Sequence, residues 1–342
     1  MTDNMNMRRT LLSGLVLAAF MLSSGSIVAQ SKYIQAVDEY VPAPGQFTNT
    51  MPKADESDTP ATMAQKCTEH LANNNRQMIS LGAYGGYVTF HFDHPIVNVT
   101  GQMDLLIEGN ALAGGSEAGI VMVSQDINAN GLPDDPWYEL AGSADVDSIG
   151  KVVYGYTITY SRQGDLQDVA WTDSQNGSGS IPRNGFHTQE YFPLWLGSEL
   201  SFKGTLLPTN ALNRKPKGND WLLSSLRYGY VDNVPNADSI GNSFNLDWAV
   251  EPVSRQSVSL THADFIRVYT ALNQVCGWLG ETSTEVIGAE DLHLEASLEF
   301  ASGIKEAVQT VKGQYFDLQG RPVANPSRGL YMINGKKVFI NP

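Results

Sequence analysis

The stretch Asp126-Ile127-Asn128-Ala129-Asn130-Gly131-Leu132-Pro133-Asp134-Asp135 carries oxygen-bearing side chains at positions 1, 3, 5, 9 and 10, with glycine at position 6. Alternate residues of a tightly turning loop can all point inward, and Ca²⁺ takes six to eight oxygens, so the spacing suits a hard cation. Asp126, Asn128, Asn130 and Asp134 would bind through side chains and Leu132 through its carbonyl. Asp135 or Glu139 would complete the shell. Position 12 is Trp137 instead of the bidentate Glu of a helix-loop-helix sensor, and two Asn replace Asp. Both departures point to an isolated, structural calcium loop of weak affinity, about 10⁻⁴ to 10⁻³ M. The same residue types also build turns that bind nothing, because their side chains bond locally to the backbone.

A second constellation begins at Trp171. The segment Trp171 to Gly179 is polar and glycine-rich, with Asp173, Gln175 and Asn176, and Phe186, His187, Tyr191, Phe192 and Trp195 follow. An aromatic face flanked by amides and hydroxyls suits a sugar or a large planar cofactor. Trp171, Asp173, Gln175, Asn176, Phe186, His187 and Trp195 are therefore the candidate ligand contacts; core aromatics and a flexible loop are the competing reading. Paired carboxylates for hydrolysis are available, for instance Glu281 with Glu285 or Asp232 with Asp247, but no spacing fixes their separation. No Gly-x-Ser-x-Gly elbow supports a serine nucleophile. Gly82, Gly85 and Gly86 precede a strand and read as a tight turn, not a phosphate loop. His91-Phe92-Asp93-His94 lacks the further His or Cys of a transition-metal site and reads as solvent-facing strand residues. No catalytic set emerges.

The elements that position these groups are strands. Tyr87 to Phe92 alternates and stops at Asp93-His94-Pro95. Met103 to Glu108, Gly119 to Ser124, Val152 to Tyr160, Leu200 to Leu206 and Phe265 to Leu272 are β-branched or aromatic runs bounded by Gly, Asn, Asp or Pro. Helical periodicity is nearly absent, apart from one short helix over Ala61 to Asn73. Many short strands without intervening helices predict an all-β fold, a jelly-roll-like β-sandwich over residues 78–300, preceded by an extended lead-in over 30–77.

The chain has 342 residues and a net charge of −14, which argues against nucleic acid or an anionic membrane as the main partner. Arg8 and Arg9 followed by the apolar run Leu11 to Leu22 form an export signal, with cleavage expected after Ala29. No later segment reaches membrane-spanning length. In an exported chain the two cysteines, Cys67 and Cys276, either pair as a disulfide or stay as buried thiols. Residues 301–342 form a separate region in which six basic residues of 305–342 face two acidic ones. Asn334-Gly335 between alternating runs is a hairpin signal.

The tail Tyr315-Phe316-Asp317-Leu318-Gln319-Gly320-Arg321-Pro322-Val323, with Gly329-Leu330-Tyr331 and Gly335-Lys336-Lys337-Val338, resembles the C-terminal secretion-sorting domains of Bacteroidetes proteins. That resemblance implies a small β domain read by an outer-membrane secretion apparatus. The body resembles a family of exported Bacteroidetes cell-surface proteins. The segments that carry the likeness include Tyr40 to Phe47, Ile79 to Tyr87, Asp93 to Ile96, the Asp126 loop with Trp137 to Leu140, Asn245 to Val250 and Gly277 to Glu285. Some surface proteins of this kind accompany outer-membrane uptake systems, including corrinoid capture. The expectation is a non-catalytic surface protein that binds a small molecule or glycan, a glycan or corrinoid held for an outer-membrane transporter. The alternatives are a structural or adhesive surface protein and a glycoside hydrolase on a jelly roll.

Overall fold

The computed structural model describes residues 30–148, 150–215, 220–311 and, in the tail, the strands Tyr315–Phe316, Pro322–Val323, Gly329–Ile333 and Lys336–Ile340. The export signal expected over residues 1–29 lies outside them. The fold is all-β and sandwich-like. Its largest sheet is antiparallel and has six strands in the order Ala36–Val41, Tyr87–Val97, His262–Thr270, Gly119–Ser124, Trp137–Leu140 and Ala249–Val250. Part of the expected lead-in is therefore an edge strand, with Tyr40 opposite Val88.

Alternation along the strands gives this sheet two apolar faces. Phe90, Ile266 and Val123 stand in one cross-strand row, and Val88, Val268 and Val121 in the next. These rows share a core with Leu105, Ile107 and Phe244, from the three-stranded sheet Ser243–Phe244, Leu105–Glu108 and Gly288–Asp291. The helix Pro60–Leu71 closes the same core with Met63, Cys67 and Leu71, spaced four apart on one face. Thr59 caps this helix by accepting from the Thr62 N–H, and Pro60 opens it. On the opposite face, Tyr87 packs against a second core that includes Tyr156, Ile158, Tyr160 and Phe202 of a second sheet. Its order is Glu199–Leu206, Val153–Ser161, Val169–Asp173 and Ser178–Ile181. The Tyr84 and Tyr156 rings meet edge to face at 5.0 Å. Burial of each such ring stabilises the layer by about 1.5–3 kcal/mol.

Several local expectations need correction. The strand from Tyr87 does not stop at Asp93 but runs to Val97, its Pro95 tolerated between bonded positions. His94 is not solvent-facing: it is buried between Asp93 (Nδ1 to Oδ1, 2.5 Å) and Asp291 (Nε2 to Oδ2, 2.9 Å). Burial opposes charge on its ring, but the two carboxylates outweigh that and raise its pKa. A helix occupies Leu294–Val311 and runs across the boundary placed at Ala301, because its Leu, Glu and Ala content favours helix. Ser297, buried on this helix, accepts from the Val97 N–H at 3.1 Å. Cys67 and Cys276 are both free and buried, so they are not bridged; burial raises the pKa of each thiol, that of Cys276 to about 11. In the tail, Ile333 pairs with Lys336 and Leu330 with Phe339; Asn334 and Gly335 lie outside the described residues. No helix among the described residues is long and apolar enough to cross a membrane.

Candidate ligand-binding cavity with an acidic floor

A cavity of about 640 Å³ opens beside the short ladder of Ile79–Ser80 with Glu285–Val286. Its walls carry Phe47, Phe186, His187, Trp221 and Trp278, and its floor carries Glu117, Glu281, Ser283 and Glu285. The walls come from four loops, each anchored. The hairpin Ala211–Asn213 with Trp221–Leu223 docks on the turn at Gly114, where the Leu223 N–H donates to the Gly114 carbonyl at 2.8 Å. Gly114 has φ +83°, and a Cβ there would stand 2.8 Å from the Leu222 side chain. Phe47 and His187 meet edge to face at 4.7 Å. Trp278 sits in the short helical turn Gly277–Leu279. Buried Gln46 ties these walls together: its Nε2 donates to the Leu279 carbonyl at 2.7 Å, and its Oε1 accepts from Asn184 Nδ2 at 3.2 Å. Asn184 also donates to the Trp278 carbonyl at 2.6 Å.

The floor is built from carboxyls far apart in the chain. Glu285 pairs with Ser80 across the short ladder Ile79–Ser80 and Glu285–Val286. Asp232 lies in the segment bonded to Gly119, in a left-handed conformation with φ 56°. Its Oδ1 accepts from the Asn110 N–H at 2.7 Å and its Oδ2 from the Glu285 N–H at 3.0 Å. Gly109 lets Asp232 approach, since a Cβ there would lie 2.4 Å from Asp232 Oδ1. Glu117 accepts from the Ser283 N–H at 3.3 Å, and the Ser283 hydroxyl donates to Glu285 at 2.8 Å. Glu281 Oε1 accepts from the Gln46 N–H at 2.6 Å, while its buried Oε2 has no hydrogen-bond partner among the described residues.

Burial is the main cause that pushes these carboxyls up. Asp232 rises to about 7 and Glu281 to about 8. Glu117 and Glu285 rise well above the usual carboxylate range through burial first, then repulsion within the cluster. Among the described residues no Lys, Arg or His forms an ion pair with any of the four. Such a floor can hold protons near neutral pH or bind a cation. The aromatic walls offer flat apolar surface to a ligand.

Of the ligand contacts expected from sequence, Phe186 and His187 reach this cavity. Trp171 is half-buried on the second sheet, and its ring covers Gly179. Asp173 organises the following hairpin turn: its Oδ1 accepts from the Gln175 and Gly177 N–H groups, and its Oδ2 from the Tyr156 hydroxyl. Gln175 and Asn176 are exposed on that turn, Asn176 at φ 62°. Trp195 is core, stacked on Tyr40 at 5.9 Å. Sequence reasoning missed Gln46, Phe47, Glu117, Trp221 and Trp278 as site residues. Glu281, Glu285 and Asp232 had been available only as arbitrary acid pairs. Asp247 is not part of the floor: it accepts from Asn98 Nδ2 and the Gly101 N–H.

The Asp126 loop is a separate feature between the strands Gly119–Ser124 and Trp137–Leu140. Asp126 Oδ1 and Asn128 Oδ1 both lie 3.0 Å from the Asn130 N–H they accept from, so these oxygens converge on one side of the turn. Asp126 Oδ2 accepts from the Gly131 N–H, and Asn130 Oδ1 from the Leu132 N–H, each at 2.8 Å. Asp134 accepts from the Asn128 and Asn130 amides, and Asp135 from the Ile127 N–H. Asp264, which the sequence did not single out, accepts from the Asp126 N–H at 2.8 Å and helps line the adjoining cleft with Asp93 and Asp126. In comparisons with known proteins, no family model matches the chain and no curated protein matches it.

Proposed function

We propose that this chain is an exported surface protein that captures a ligand in the aromatic-walled cavity and does not transform it. The cavity carries the proposal: about 640 Å³ of space, aromatic walls and a polar floor match what a small-molecule site requires. Two ligand classes fit that chemistry, a glycan and a corrinoid, since both present apolar faces and polar edges. The likeness of the body and tail to exported Bacteroidetes surface proteins supports a place at the outer membrane, beside an uptake transporter or secretion apparatus. The Asp126 loop acts in this reading as a structural Ca²⁺ clasp through Asp126, Asn128, Asn130, Leu132, Asp134 and Asp135.

Isothermal titration against a glycan panel and a corrinoid tests the proposal. Binding by one class is expected, weakened roughly 5- to 150-fold by Trp278→Ala, which removes stacking worth roughly 1–3 kcal/mol. Absence of binding by both classes would overturn it. The raised carboxyls of the floor favour one second reading, hydrolysis of a bound glycan with Glu281 or Glu285 as acid. Release of reducing sugar by the wild type but not by Glu285→Gln would establish that reading instead.

A further inference from the structure

We propose that Glu117 and Glu285 of the cavity floor, together with the fully buried Asp232 beside them, form a binding site for a divalent, oxygen-seeking cation. One carboxylate oxygen from each lies within 4.8 Å of the other two. Ca²⁺ binds oxygen at about 2.3–2.6 Å, so a single ion placed between the three reaches all of them with at most a small inward shift of the side chains. The donors are all carboxylate, with no sulfur or imidazole, which selects Ca²⁺, Mg²⁺ or Mn²⁺ over Zn²⁺ or Cu²⁺.

The site is built, not incidental. Asp232 is fully buried and Glu285 is 3% exposed. Asp232 is held in place by backbone donors from two other segments, those of Asn110 and Glu285, and by the missing side chain of Gly109. Buried carboxylates are ordinarily paired or coordinate metals. An independent observation comes from Glu281. It lines the same cavity at 4% exposure, lies close enough to disfavour charge on Glu117 and Glu285, and keeps Oε2 without a partner. A fourth carboxyl so placed adds acidic oxygen to a cluster in which no side-chain cation forms an ion pair with any member among the described residues. A bound cation supplies the positive partner that these carboxyls otherwise replace with protons, and Glu117 and Glu285 place it against the cavity. This inference does not depend on which ligand the cavity takes.

The test uses full-length protein dialysed against chelator, with Asp126→Ala as background so that the loop does not contribute. Tb³⁺, a luminescent stand-in for Ca²⁺, is titrated with excitation through tryptophan, since Trp221 and Trp278 line the same cavity. One saturable site is expected, displaced by CaCl₂ or MnCl₂ and weakened at least tenfold by Glu285→Gln. Glu117→Gln reads the same position from a half-buried residue, should Glu285→Gln fail to fold. No sensitised Tb³⁺ in the Asp126→Ala protein, or binding unchanged by Glu117→Gln and Glu285→Gln, would overturn the proposal.

Discussion

Replacing Glu281 by Gln tests the electrostatics of the cavity floor. Gln keeps the shape, and its Oε1 still accepts from the Gln46 N–H, but it cannot ionise. Glu281 titrates near 4.5 in the unfolded chain and at about 8 in the folded one, burial being the cause. The folded state therefore holds the proton more tightly across that window. The contribution of Glu281 to stability is greatest below pH 4.5 and falls as pH rises toward about 8. At 1.36 kcal/mol per pH unit the full fall attributable to this group is at most ~5 kcal/mol. Urea unfolding followed by tryptophan fluorescence, in chelator-treated buffer, measures it. Near pH 5 the variant and wild type should agree within about 1 kcal/mol, and near pH 9 the variant should be more stable by several kcal/mol. Glu117, Asp232 and Glu285 still titrate in the variant, so its pH dependence shrinks without vanishing. Equal pH slopes in the two proteins would refute the idea that Glu281 is buried without compensation.

For the loop, chelation should lower the melting temperature, and Asp126→Ala should remove the loop's share, about 1.4 kcal/mol at calcium tenfold above the dissociation constant; an unchanged wild-type melting curve sinks the clasp. His94, with a folded pKa raised above 6.5, contributes stability that is full below pH 6.5 and lost as pH rises through its folded value. His94→Gln should therefore cost more near pH 6 than near pH 9 in chemical denaturation, and equal costs would count against the Asp93–His94–Asp291 link. Arg255→Met leaves Glu139, 1% exposed, with the Thr205 and Tyr269 hydroxyls but no cation, and should cost ~3–5 kcal/mol. Adding Glu139→Gln should recover part of that loss, and a double-mutant cycle with no coupling would contradict it.

What the sequence alone determined is local. Strand existence was legible wherever Val, Ile, Phe and Tyr alternate, as in Gly119 to Ser124 and Val152 to Tyr160, because a pleated strand repeats every two residues. The short helix expected over Ala61 to Asn73 lies at Pro60–Leu71, and the tail hairpin was legible from Asn334-Gly335 between two alternating runs. The Asp126 loop was visible as a spacing because its oxygens lie within ten consecutive residues. The cavity was not visible. Its floor joins Glu117, Glu281 and Glu285 with buried Asp232 beside them, and pairings such as Glu285 with Ser80 and Gly119 with Val231 bring them together. Aromatic residues look alike in sequence whether they form a wall, as Trp278 does, or fill the core, as Trp195 does. Tertiary structure decided between them, because whether a side chain is solvated, paired or buried depends on neighbours more than a hundred residues away, and periodicity carries no record of those neighbours.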